Sequence, residues 1–302
     1  MIPQQNLELS QTRDFSQIIG DTFQFIRENF KQLITCFFVF CGFFLVATFI
    51  TVFLYQLNLV SLTNNISNDP DSYDSASPAG ILSKVFNAEF VLIILFEFFY
   101  IIMVHVCIIS YIALYKAKGN QPVTTAEVWG YVKYYFFRVM GSSMVLYLLA
   151  LFAFLCCVIP GIWIYPAVSL MIPIMIIENG SLGYAFNQAF KLIKGNWWMT
   201  FGVIFVTGIV AAILSSIVTV PSSLLAFGTM FLHKTAHAGG SQLFTAIYYV
   251  CAELARVFYI IPTIAIVITY FSLNEAQEGT GLMERINQMG NDSPTDLPAE
   301  EY

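Results

Sequence analysis

The segment "AFNQAFKLIKGNWWMTFGVIF" (residues 185–205) changes character at its midpoint, and this change decides how the chain is interpreted. Its first half repeats apolar residues at helical spacing and places two lysines on the opposite face, which predicts an amphipathic helix. Asn196 ends this pattern. Trp197 and Trp198 are typical of the headgroup level of a membrane, and a wholly apolar run follows them. The segment predicts a helix that lies on a membrane and bends into a helix that crosses it.

The composition supports a membrane environment for most of the chain. Hydrophobic residues make up 58% of the 302 residues and charged residues 11%, whereas a soluble domain carries roughly a quarter charged residues. The net charge of −6 comes largely from residues 58–89 and the C-terminal tail, so no basic stripe suits nucleic acid. All six cysteines fall inside apolar runs, where they are expected to be embedded apolar residues. The class is a polytopic, all-α membrane protein.

Apolar segments long enough to cross a bilayer recur along the chain. They lie near residues 33–57, 90–115, 139–159, 161–177, 197–220 and 246–273. "IPGIW" (159–163) predicts a tight turn between the third and fourth spans. Pro166 and Pro173 are expected to kink or shorten the fourth span.

Lysine and arginine are distributed unevenly between alternate loops. The N-terminus, the second and fourth loops and the tail contain Arg13, Arg27, Lys31, Lys116, Lys118, Lys133, Arg138, Lys191, Lys194 and Arg285. The other loops contain only Lys84 and Lys234. Because basic residues favour the cytoplasmic side, both termini are predicted to be cytoplasmic.

The arrangement of 185–205 has two counterparts. "FQFIRENFKQLITCFF" (23–38) aligns with "FKLIKGNWWMTFGVIF" (190–205), and "TTAEVWGYVKYYFFRVM" (124–140) has the same apolar spacing, opened by a capping box of Thr124 and Glu127. These segments predict three interfacial helices on the cytoplasmic face and a threefold repeat, about 13–115, 124–177 and 182–273. Together they form one membrane domain, 1–290, followed by a disordered acidic tail, 291–302. The alternative is that these segments are not repeats, because basic and aromatic residues commonly precede membrane spans.

Four ionisable residues lie inside predicted spans, where charge is costly and therefore often functional. They are Glu97, His105, Glu253 and Arg256. Glu253 and Arg256 are three apart and face the same side of a helix. A proton- or ion-responsive cluster, or an arginine that receives a lipid phosphate, is one interpretation. The alternative is an ion pair that fixes helix register, with His105 in an interhelical hydrogen bond.

A second set of residues lies at the cytoplasmic ends of the spans, where headgroups would contact them. The set is Arg27, Lys31, Glu178, Lys191, Lys194, Trp197 and Trp198. Glu178 is expected either to pair with one of the lysines or to belong to a headgroup site. His233 and His237 are interpreted as exposed loop residues, because two ligands do not make a metal site. The sequence contains no catalytic, metal or cofactor motif.

Residues 160–205 resemble the membrane domain of some bacterial glycerophosphodiester phosphodiesterases and of related stand-alone inner-membrane families. The shared pattern is a proline-bearing apolar helix ending in Glu178, then Ala185 and Ala189, a basic-glycine step at 194–195, and Trp197. "YFSLNEAQEGTGLMERINQMG" (270–290) resembles the ending of such proteins in Bacteroidota-type bacteria. The resemblance implies a six-span architecture in the bacterial inner membrane. About 30 residues follow the sixth span, so we expect the phosphodiesterase domain to be absent.

These observations favour a non-enzymatic membrane module that binds lipid, a partner membrane protein or a second copy of itself. The alternative is a transporter or lipid-translocating channel whose polar path is Glu97, Glu253 and Arg256. An enzyme that acts on lipid headgroups is a third possibility, without a motif to support it.

Overall fold

The computed structural model describes residues 7–68, 82–83, 85–156, 158–232 and 239–279, and the regular secondary structure within these ranges is helical. The helices are α1 (Phe15–Asn68), α2 (Ala88–Ala117), α3 (Thr125–Cys156), α4 (Val158–Ile177), α5 (Leu182–Ile193), α6 (Trp197–Leu232), α7 (Gly239–Ala255) and α8 (Ile260–Glu278). A 3₁₀ turn, Arg256–Tyr259, joins α7 to α8. The tail 291–302, Arg285, His233, His237, Lys84 and Lys234 lie outside the described residues.

Helices in the described part provide the six predicted membrane spans. The candidate spans are Phe15–Ser61, Ala88–Ala117, Thr125–Ala153, Ile159–Ile177, Trp197–Leu225 and Phe244–Glu278. Their mean hydropathy lies between 1.8 and 2.7. An apolar helix satisfies its own backbone hydrogen bonds, which is the condition for crossing hydrocarbon. The all-α, multi-pass membrane architecture is therefore confirmed.

The core of the bundle forms where α1, α2 and α8 meet. Phe25 of α1 is fully buried and packs edge-on against Tyr111 (ring centroids 6.4 Å apart) and Tyr115 (5.2 Å) of α2. The Tyr111 hydroxyl donates to Asn29 Oδ1 at 2.9 Å. Between helices in a bilayer, close packing and polar contacts of this kind stabilise the fold, because lipid is as apolar as the side chains. The exposed apolar residues of α3, such as Leu155, form the face available to lipid.

The predicted bend between interfacial and crossing segments occurs at only one of the three expected places. Between α5 and α6 the chain turns at Gly195, whose φ of +85° is left-handed, and Asn196 N donates to Ile193 O at 2.9 Å. The positions aligned with Gly195 are Glu28 in α1 and Tyr134 in α3. Residues with a Cβ enter this conformation at a cost, so α1 and α3 continue as unbroken helices through both predicted bends.

The chain before α1 is bonded to α8. Arg13 N donates to Ser272 Oγ of α8 at 2.8 Å, while Asn29 of α1 accepts from Tyr111 of α2 at 2.9 Å.

Helix α5 packs back along α4. Tyr184 contacts Glu178, just after α4, whereas Trp197 Nε1 donates to the carbonyl of Trp163 at 2.8 Å. Trp163 lies about 21 Å from the C-terminal end of α4, counted at 1.5 Å per residue. A helix perpendicular to α4 would leave Trp197 too distant for this hydrogen bond.

The predicted turn at "IPGIW" is wrong. Helix α4 begins at Val158, so Pro160 lies in its first turn, where the missing backbone N–H has no intrahelical acceptor to lose. Pro166 and Pro173 lie inside α4, which runs unbroken for 20 residues. Residue 157, between α3 and α4, lies outside the described residues.

The capping box predicted at the start of α3 is present in part. Glu127 Oε2 accepts from the backbone N–H of Thr124 at 2.9 Å and from its hydroxyl at 2.8 Å. Glu127 Oε1 accepts from Lys118 Nζ at 2.5 Å. This carboxylate thus ties the end of α2 to the start of α3.

Candidate functional site

The sixth span is interrupted where the sequence predicts one continuous helix. Pro262, the third residue of α8, has no backbone N–H, and its ring conflicts with the carbonyl of Phe258. The chain passes through the 3₁₀ turn just before this proline, and the carbonyls of a 3₁₀ turn accept from the residue three positions ahead instead of four. Ser215 Oγ of α6 donates to Ala255 O at 3.2 Å, and the Tyr100 hydroxyl of α2 donates to Arg256 O at 3.3 Å.

The ion cluster, which consists of Glu97, Glu253 and Arg256, lies at this interruption. Arg256 Nη1 donates to Glu97 Oε2 at 2.6 Å, and Arg256 Nη2 lies 2.5 Å from Glu97 Oε1. Arg256 Nε lies 2.9 Å from Glu253 Oε2. The planar guanidinium therefore contacts one carboxylate with its fork and the other with its edge.

The side chains of the ion cluster are only partly buried. The Glu253 side chain is 9% exposed, Arg256 22% and Glu97 30%. Tyr100 places its ring 5.4 Å from the guanidinium carbon, close enough for a cation–π contact. Two carboxylates face one guanidinium, so the ion cluster has one uncompensated negative charge. Such a surplus is costly in an apolar medium, where charges are normally paired.

His105 does not belong to the ion cluster. Its Nδ1 lies 2.8 Å from the carbonyl oxygen of Ile101 in the same helix. Nδ1 therefore does not make the interhelical hydrogen bond that the sequence predicted for His105. His105 follows Glu97 by two helical turns, about 12 Å along α2. The sequence argument also missed Tyr100 and Ser215. Tyr100 follows Glu97 by three positions and thus shares its helix face.

Glu178 has partners other than the lysines. Tyr184 of α5 donates to Glu178 Oε2 at 2.5 Å, and Tyr270 of α8 donates to Glu178 Oε1 at 2.6 Å. The expected pairing with Lys191 or Lys194 is therefore wrong. The hydrogen bond to Glu178 raises the pKa of Tyr184 to about 12, because the carboxylate stabilises the protonated phenol. Glu178 thus joins α5 to α8 at the end of α4.

The basic set, defined as Arg27, Lys31, Lys191 and Lys194, is exposed. None of these four residues takes part in an ion pair within the described ranges. Shortly after Lys194 in the chain, Trp198 is 79% exposed, whereas Trp197 is partly buried and donates to Trp163. Exposed cations next to exposed tryptophan are typical of the boundary between headgroups and hydrocarbon.

Within the described residues, no group of three or more histidine, cysteine, aspartate or glutamate side chains is arranged to hold a metal ion. Cys36, Cys41 and Cys107 are buried and free.

The fold and the ion cluster define a multi-pass, all-helical membrane protein with a charged contact inside an interrupted span. Comparison with protein-family models, curated proteins and solved structures finds no match. The resemblance of residues 160–205 therefore stays a prediction.

Proposed function

We propose that this chain is a non-enzymatic binding module of the bacterial inner membrane, with cytoplasmic termini, and that its ligand is anionic membrane lipid. A partner membrane protein or a second copy is the other ligand compatible with the sequence. Lipid is favoured because the basic set offers positive charge without a protein counter-ion.

The exposure of the basic set carries this proposal. Arg27 and Lys31 are one turn apart on α1, and Lys191 and Lys194 have the same relation across the end of α5. The Gln277 side chain of α8 donates to Lys191 O at 2.9 Å, which ties α5 to the end of α8. A lipid phosphate placed here would gain about 1 kcal/mol per basic residue near the surface.

The resemblance to the membrane domain of glycerophosphodiester phosphodiesterases supports the same proposal. In those proteins a similar bundle accompanies an enzyme that processes lipid-derived molecules. We infer that this chain shares the membrane role of that bundle, and with it the threefold arrangement predicted from the sequence.

Native mass spectrometry of the gently extracted protein tests the proposal. Phosphatidylglycerol is titrated into wild type, into the variant Lys191→Gln/Lys194→Gln, and into a control, Lys118→Gln/Lys133→Gln. The control removes the same charge from lysines that already have partners, Glu127 and the Trp129 ring. We expect lipid occupancy to fall several-fold in the first variant only. Equal occupancy in all three proteins, or adducts of a protein instead of lipid, contradicts lipid binding by the basic set.

A transporter or lipid-translocating channel is the second candidate, and the interruption of the sixth span favours it. Broken helices in transporters line the binding site, where the free backbone groups meet the substrate. Against it, Arg256 already contacts both carboxylates, so these three side chains are engaged with one another. A cysteine replacing Ser215, in a background with the native cysteines changed to serine, distinguishes the two candidates. Reaction with a membrane-impermeant maleimide supports a water-filled path, and protection supports a closed bundle.

A further inference from the structure

A cleft lies between the end of α2 and the first turns of α3, and it shares no residue with the basic set or the ion cluster. Its volume is about 590 Å³, and the residues that line it are Leu114, Glu127, Gly130, Tyr131, Tyr134 and Tyr135. The three tyrosines and Glu127 follow one another at spacings of three and four residues, so they share one face of α3. These six residues are called the tyrosine cleft.

We propose that the tyrosine cleft binds the headgroup of a zwitterionic phospholipid, with the ammonium group of the lipid against the tyrosine rings. This site is independent of anionic-lipid binding by the basic set, because both the residues and the headgroup differ.

The arrangement of the tyrosine rings favours a compact cation. The rings of Tyr134 and Tyr135 meet edge to face, with centroids 4.8 Å apart and planes at 89°. The ring of Tyr131 lies 5.9 Å from that of Tyr135 and is inclined to it by 43°. A flat ligand would stack between parallel rings, whereas rings in several planes suit an ammonium group, which is attracted to the negative face of each ring.

No cation of the protein occupies these ring faces. The cation–π contacts in the described part of the chain are those of Lys133 with Trp129, Lys116 with Phe271, and Arg256 with Tyr100. The hydroxyls of Tyr131, Tyr134 and Tyr135 also make no hydrogen bond within the described residues. Each phenol can donate one hydrogen bond, so the tyrosine cleft offers donors for a phosphate beside ring faces for an ammonium group.

The charge of the tyrosine cleft suits a headgroup that carries both signs. Glu127 is paired with Lys118 at 2.5 Å, so the two residues together add no net charge. Their side chains are 39% and 36% exposed and remain accessible. A zwitterionic headgroup can lie antiparallel to this ion pair, with its ammonium group beside Glu127 and its phosphate beside Lys118. An anionic headgroup would bring an uncompensated negative charge to ring faces that repel it.

Native mass spectrometry of the delipidated protein tests this site. Phosphatidylethanolamine and phosphatidylglycerol with the same acyl chains are titrated separately into each protein, since only the first carries an ammonium group. The variants are Tyr134→Leu, Tyr134→Phe and Tyr131→Leu/Tyr134→Leu. The control is Tyr259→Leu, because Tyr259 is 58% exposed, close to the 64% of Tyr134, and lies outside the tyrosine cleft.

We expect Tyr134→Leu to weaken phosphatidylethanolamine binding by about threefold, because one ring face is lost. The double variant is expected to weaken it by about tenfold. Tyr134→Phe keeps the ring face and should bind nearly as wild type does, as should Tyr259→Leu. Phosphatidylglycerol binding should be unchanged in all four variants. Conversely, Lys191→Gln/Lys194→Gln should bind phosphatidylethanolamine as wild type does.

Three results would overturn the proposal. Equal phosphatidylethanolamine affinity in wild type and the double variant excludes the tyrosine cleft as the site. A Tyr134→Phe variant as weak as Tyr134→Leu excludes contact through the ring face. Free phosphoethanolamine that binds as tightly as the lipid excludes a phospholipid as the ligand. Phosphatidylglycerol binding that does not respond to Lys191→Gln/Lys194→Gln contradicts only the basic set, so the failures of the two proposals are distinguishable.

Discussion

Replacement of Arg256 by methionine is the sharpest test of the energetics of the ion cluster. The variant Arg256→Met keeps most of the side-chain length but removes the fork to Glu97 and the contact with Glu253. Removal of one partner from a buried ion pair costs about 3–5 kcal/mol, because an uncompensated charge stays behind. Arg256 and Glu97 keep 22% and 30% of their side-chain surface exposed, so we expect a smaller loss, about 2–3 kcal/mol.

A triple variant separates the free-energy cost of losing the contacts from the cost of leaving a buried charge unpaired. Glu97→Gln/Glu253→Gln/Arg256→Met removes every charge from the ion cluster, and we expect it to lose less than about 1 kcal/mol. Lys118→Met is the matched control, since it removes a paired cation whose side chain is 36% exposed; it is expected to cost less than about 1 kcal/mol.

Unfolding in mixed micelles of increasing SDS content, followed by tryptophan fluorescence, measures these free energies. The reasoning is refuted if Arg256→Met is as stable as Lys118→Met. It is also refuted if the triple variant is at least as unstable as Arg256→Met.

Two further predictions concern α5. Gly195→Ala is expected to destabilise the protein by about 1 kcal/mol, because the φ of +85° at this position is left-handed. Gly183→Ala is the control, since Gly183 lies inside α5 with open space around it. This second variant is expected to be neutral or stabilising in the same unfolding assay. The pKa of Tyr184 is raised to about 12, so the stabilisation it reflects is present below its unfolded pKa of about 10 and lost as pH rises towards 12. Ultraviolet difference titration of wild type against Tyr184→Phe isolates this phenol, and Glu178→Gln should return its pKa towards 10; an unchanged titration contradicts the hydrogen bond.

The sequence predicted the contact between Glu253 and Arg256 from their spacing alone. Glu253 and Arg256 are three apart and pair as helical geometry requires. Glu97 was predicted to lie inside another span, and the structure brings it into contact with Arg256. Pro262 is visible in the sequence as a helix breaker, whereas the hydroxyl donors at the interruption come from α2 and α6, which the local sequence does not specify.

For Glu178, the lysines Lys191 and Lys194 were the predicted partners because their charge is opposite, and this prediction was wrong. The structure gives it two tyrosine hydroxyls, one of them Tyr270, from a helix distant in sequence. A lysine near a membrane surface keeps its hydration by extending outward, as the exposure of Lys191 and Lys194 shows. Charge complementarity is a weak guide where one partner can remain in water.

The sequence by itself determined the membrane class and the six spans, because hydropathy and helix formation depend on each residue and its near neighbours. It also marked the turn at Gly195, which a left-handed backbone requires locally. Only the tertiary structure decided that α5 packs back along α4, that Arg13 bonds to Ser272 of α8, and that Glu97 contacts Arg256. These features depend on contacts between helices far apart in the chain, whose relative rotation and tilt are fixed by packing rather than by local pattern.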